Sequence, residues 1–111
     1  MLPRQSRFDR GAFTRAFAAG RRVHTPLFSL IYRPAPALRG AAVVSKKVAK
    51  SAAARNLLRR RIYAALAVVA SAGGEVIVVA KPPARSQSYA VLEAALGEAY
   101  ARAVGFGGTS R

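Results

Sequence analysis

An α+β fold, one small sheet packed against helices in a single domain, is predicted by three observations. Runs rich in branched and aromatic residues at 27–33 and 75–80 have the length and composition of strands. Stretches of helical period stand at 7–20, 51–71 and 88–104. Glycine and proline punctuate the chain between these runs. With 111 residues, 52% of them hydrophobic, the chain is long enough to bury one core without disulfides or metals.

The first helix is expected over 7–20, where Phe13 and Phe17 stand four apart and Gly20 suits a helix stop. Pro26 closes a connector into the strand Leu27-Phe-Ser-Leu-Ile-Tyr-Arg33, which Pro34-Ala35-Pro36 ends. A second strand over 40–46 is placed most simply antiparallel to the first. Ser51 is a candidate cap for a long helix reaching about Ser71, with Gly73 just beyond it. Glu75-Val-Ile-Val-Val-Ala80 is apolar almost throughout, as a buried central strand requires. Residues 81–85 form a turn, and a last amphipathic helix runs over 88–104 through Tyr89, Leu92, Leu96, Ala99 and Ala103. Residues 105–111 are expected to be a flexible tail. The predicted order is α-β-β-α-β-α, with the helices on one face of the sheet.

Charge narrows the function. Nineteen Lys and Arg stand against four Asp and Glu, a formal net charge of +15. Such an imbalance costs the compact state through self-repulsion and points to a polyanionic partner. No cysteine is present, which excludes a disulfide framework and fits a reducing, cytoplasmic setting. The longest uncharged apolar window, 62–74, is well short of the roughly 20 residues a membrane span needs. The first ten residues place no apolar run behind their charges, so no secretory signal is expected.

Residues 46–61 hold seven of the basic residues and no acidic one. On a helical wheel Leu58, Ile62, Ala65, Leu66 and Val69 form a core stripe. Arg55, Asn56, Arg59 and Arg60 share an adjoining arc with Tyr63, and Leu57 and Arg61 fall on the opposite flank. Guanidinium forks match phosphate oxygens, and an asparagine amide matches a base edge or a 2′-hydroxyl. One face of the helix is therefore core, and the next is built for RNA.

Arg55-Asn56 followed by Arg59-Arg60, shortly after Val44-Ser45-Lys46-Lys47, resembles the signature of the bacterial ribonuclease P protein component. That family carries Arg-Asn-Arg-x-Lys-Arg on its second helix after a strand ending in Ser/Ala-Lys-Lys. The resemblance extends over nearly the whole chain: Arg7-Phe8, Phe13 and Phe17 before Gly20, Pro26-Leu27-Phe28, and the strand ending at Lys81. It implies a ribosomal protein S5 domain 2-like fold with a left-handed β-α-β crossover. It also implies a subunit that joins a catalytic RNA and promotes removal of the 5′ leader from precursor tRNA, one protein per RNA, with magnesium bound mainly by the RNA and no cofactor on the protein itself. By the same resemblance Arg55, Asn56, Arg59, Arg60 and Arg61 bind the catalytic RNA. Phe13, Phe17, Phe28, Tyr32, Lys46, Lys47, Lys50 and Lys81 then line the leader groove. Leu57 stands where the family has a second arginine, and Tyr63-Ala64 replaces Arg-Glu. Arg61 shares Leu57's flank and can restore charge there.

No protein active site is expected. A metal-dependent nuclease gathers carboxylates around its cations, and Asp9, Glu75, Glu93 and Glu98 are the entire acidic stock. Glu93 and Glu98, five apart, do not share a helix face. The lone histidine, His24, sits in a connector, and no glycine-rich phosphate loop precedes a helix. The competing readings are a structural RNA binder such as a small ribosomal protein and a cationic membrane-surface protein. The second is disfavoured because the apolar faces are committed to a core.

Overall fold

The computed structural model describes residues 10–109. Helix α1 spans Arg10–Ala19, and strands β1 (Arg21–His24), β2 (Phe28–Arg33) and β3 (Arg39–Val43) follow. Helix α2 (Ala52–Val69), strand β4 (Glu75–Ala80), a 3₁₀ turn (Pro82–Ser86) and helix α3 (Tyr89–Thr109) complete the chain. Arg7 and Phe8 lie outside the described residues.

The four strands are ordered β1-β2-β4-β3. β2 is antiparallel to both β1 and β4, while β3 runs parallel to β4 at the free edge. Three expectations change here. β1 is an additional strand: Arg21-Arg22-Val23-His24 offers only one apolar residue, Val23, and takes its shape from pairing with β2. β3 does not pair with β2, because α2 carries the chain across so that β4 inserts between them. The helices cover both faces of the sheet, not one: α2 and α3 pack on one side and α1 on the other.

The larger core lies under α2 and α3. Val23, Phe28, Leu30, Tyr32, Val76, Val78 and Ala80 face it from the strands, against Leu58, Ile62, Leu66, Leu92, Leu96 and Ala99 from the helices. Fully burying one such side chain contributes about 1.5–3 kcal/mol. The smaller core is Ala16, Ile31 and Ile77, with Phe13, Ala41 and Val79 packed against it.

Local chemistry sets the ends of α2. Ser51 is extended at φ −88°, ψ 151°, and its Oγ accepts from the Ala54 N–H at 3.0 Å. Beyond Ala70, Gly73 and Gly74 adopt φ of 74° and 100°, a region that side chains disfavour. A Cβ on Gly74 would stand 2.5 Å from the Tyr32 ring. α3 continues to Thr109, past the point where the tail was expected to begin. No helix among the described residues is long and apolar enough to cross a membrane.

Candidate nucleic-acid interface

Two cationic surfaces emerge, one on α2 and one on the α1 side of the sheet. On α2, Leu58, Ile62, Ala65 and Leu66 are buried, which turns the arc of Arg55, Asn56, Arg59 and Arg60 outward. Arg55 is fixed to the start of its own helix: its Nη1 donates to the carbonyls of Ala49 at 3.1 Å and Lys50 at 2.8 Å. Those carbonyls precede the helix, so this side chain ties the end of the β3–α2 connection to the first turn of α2. The Arg59 guanidinium donates to Asn56 Oδ1. This leaves the amide nitrogen of Asn56 and the remaining guanidinium donors facing solvent. Arg60 is exposed and Arg61 half-buried. Tyr63, at the end of this face, accepts from the Ala42 N–H at 3.3 Å and so occupies a donor on the free edge of β3. The substituted Tyr63 thereby joins helix to sheet.

On the other side, the register arranges side chains in three rows across the sheet. The first is His24, Ser29, Val79 and Val43; the second is Arg22, Ile31, Ile77 and Ala41; the third is Arg33, Glu75 and Arg39. α1 lies over the second row through Ala16 and Phe13. The first row stays open, with His24 and Val43 exposed and His24 Nδ1 2.7 Å from Ser29 Oγ. In the third row, Arg33 approaches Glu75 at 3.9 Å.

Phe13 and Phe17 stack with centroids 5.9 Å apart and planes 15° from parallel. Phe17 is 39% exposed. The Arg22 guanidinium lies 4.8 Å from the Phe17 centroid, and its Nη2 donates to the Phe17 carbonyl at 2.9 Å. Lys46, Lys47 and Lys50 are exposed in the segment that connects β3 to α2. Lys81 is half-buried, and its Nζ donates to the Thr25 carbonyl at 2.8 Å, holding the β1–β2 turn against the end of β4.

Two predicted groove residues are elsewhere. Phe28 and Tyr32 are 0% and 7% exposed and belong to the core under α2 and α3. Successive strand residues point to opposite faces, so Ile31, not its neighbours, is what β2 presents to α1. β2 is buried on both faces, so its apolar run carries no alternation from which the facing could be read. Arg22 and His24, which pairs with Ser29 of β2, were missed for a related reason: they lie on β1, which has almost no apolar pattern.

Among the described residues no three of His, Cys, Asp and Glu come together as a metal site. What the arrangement can do is bind: aromatic faces beside exposed cations suit single-stranded nucleic acid, and a helix face of arginines suits a folded phosphate backbone.

The family model described as Ribonuclease P matches residues 2–104. Among solved structures, the RNase P protein of Staphylococcus aureus is 24% identical with a TM-score of 0.77, the match covering 88% of this chain and 94% of that one. The RNase P protein of Thermotoga maritima is 20% identical with a TM-score of 0.71, covering 86% and 96%. At these identities the structural likeness speaks for the fold. No match was found among curated proteins.

Proposed function

The chain belongs to the ribonuclease P protein family, and on that premise we propose that its two cationic surfaces hold two different RNAs. It is the protein subunit of ribonuclease P and partners the RNA of that complex. The Arg-Asn face of α2, with Arg55, Asn56, Arg59 and Arg60, takes the catalytic RNA, joined by Arg61 from the flank of Leu57. The groove beside α1, with Phe13 and Phe17 at its wall and Lys46, Lys47, Lys50 and Lys81 at its end, takes the 5′ leader of precursor tRNA.

The observation that carries this reading is the orientation of the Arg-Asn face. Arg55 is anchored to the backbone and Arg59 to Asn56, so these guanidinium groups are held in place before any RNA arrives. Pre-ordered cations lose less side-chain entropy on binding than free ones.

In this reading the RNA performs the hydrolysis and its phosphates hold most of the magnesium. The protein contributes affinity for the leader and neutralises phosphate charge that magnesium would otherwise screen. One protein serves each RNA, in the cytoplasm where tRNA is matured.

The test is reconstitution with a bacterial ribonuclease P RNA at low magnesium, with precursor tRNA as substrate. Restored 5′ cleavage is the expected result. Tight binding without any effect on cleavage would favour a purely structural RNA binder instead.

A further inference from the structure

We propose that the flank of α2 bearing Leu57 is a pocket for an unpaired nucleobase of the same RNA that the Arg-Asn face binds. The inference rests on that assignment and extends the contact to residues outside the arginine-asparagine arc.

Ala49, Ala54, Leu57, Leu58, Arg61 and Arg85 line one concavity between the start of α2 and the 3₁₀ turn. Its floor is apolar, since Ala49 and Leu58 belong to the core. Its rim is cationic, with Arg61 from α2 and Arg85 from the turn, and none of the six lining residues is acidic. Among the described residues, neither rim arginine meets a carboxylate. Leu57 is 42% exposed, an apolar side chain left in water within the most basic stretch of the molecule.

Leu57 precedes Arg60 by three residues and Arg61 by four, so it touches the territory of both on the helix surface. The pocket is therefore continuous with the Arg-Asn face. The concavity encloses about 80 Å³, room for the edge of a base with its face against Leu57. Two guanidinium groups on the rim suit the phosphates on either side of that base. Charge selects the occupant: a protein partner would need acidic side chains here, whereas RNA supplies both the apolar face and the anions.

The test measures affinity of the full chain for a bacterial ribonuclease P RNA across a salt series, with nucleotide-resolution chemical probing of the bound RNA. Leu57→Ala is expected to weaken binding about fivefold at every salt concentration without changing the slope. It should also expose one nucleotide that the wild-type protein shields, and Leu57→Met should restore the protection. Arg85→Gln should reduce the salt slope by about one. Leu57→Arg should steepen the slope yet bind more weakly than wild type once salt screens its charge.

Wild-type affinity and probing for Leu57→Ala and Arg85→Gln, in the face of a clear loss for Arg59→Gln, would overturn the pocket and leave the Arg-Asn face standing. Tighter binding by Leu57→Arg at all salt concentrations would also overturn it. Failure of the wild-type chain to bind the RNA would instead remove the functional assignment on which the pocket rests.

Discussion

Phe17 is held from two sides, by Phe13 stacked beside it and by Arg22, which sits over the ring and also donates to the Phe17 carbonyl. A cation over an exposed ring contributes about 0.5–1 kcal/mol, and the backbone contact ties the same arginine to the end of α1. Replacing Phe17 with Ala should weaken binding of leader-bearing substrate more than leaderless tRNA, by up to the 1–3 kcal/mol typical of one stacked base. Equal losses on both substrates would remove the stacking role. Phe28→Ala should behave differently. Phe28 is wholly buried in the core under α2 and α3, so its truncation should cost about 3–5 kcal/mol in thermal or denaturant unfolding. Any binding loss that follows should be the same with and without a leader. The contrast shows which residue-level readings were legible. The helical spacing of Phe13 and Phe17 put both on one side of α1, whereas the facing of Phe28 and Tyr32 depended on pairing that a two-sided apolar strand does not reveal.

At the scale of elements, α2 was legible because its cap, its apolar stripe and its stop are all local. Ser51, Leu58, Ile62, Leu66 and Gly73 lie within one continuous segment. β4 was legible for the same reason. β1 and the partner of β3 were not, since both are decided by which strand the crossover helix delivers into the middle of the sheet. Tyr63 secures that delivery by accepting from the Ala42 N–H on the β3 edge. Tyr63→Phe should cost about 1 kcal/mol of stability, measured by denaturant unfolding. The turn between α2 and β4 is fastened by α3: the Tyr100 hydroxyl donates to the Gly73 carbonyl at 2.6 Å, and its ring meets Tyr32 edge-on. Burial, reinforced by the neighbouring Tyr32, pushes the Tyr100 phenol above its usual range. A group whose pKa rises on folding contributes stability below its unfolded value, about pH 10, and loses it as pH climbs through the folded value. Alkaline unfolding should therefore show a decline that Tyr100→Phe lacks. Parallel pH profiles for the two proteins would contradict the cause given.

Across the whole molecule the charge was plain from composition, whereas its division between two RNAs came from the family resemblance and not from the charge pattern itself. The net charge of +15 belongs to a domain in which Arg33–Glu75, at 3.9 Å, is the one ion pair within 4 Å among the described residues. Salt should accordingly act in opposite directions on the free protein and on its complex. It screens self-repulsion and should raise the melting temperature of the protein alone, while weakening its grip on RNA by restoring the counterion atmosphere. A melting temperature that falls with added sodium chloride would contradict the first half. The proposed service of two RNAs by one small domain, through separable surfaces, is tested by comparing two variants in the reconstituted complex. Affinity for the ribonuclease P RNA is measured first. The affinity ratio between leader-bearing and leaderless tRNA follows at saturating protein. Arg59→Gln is predicted to lower the first and leave the second unchanged, and Phe17→Ala to leave the first unchanged and lower the second. Coupled losses, with each variant reducing both quantities in proportion, would show a single shared surface and overturn the division into two.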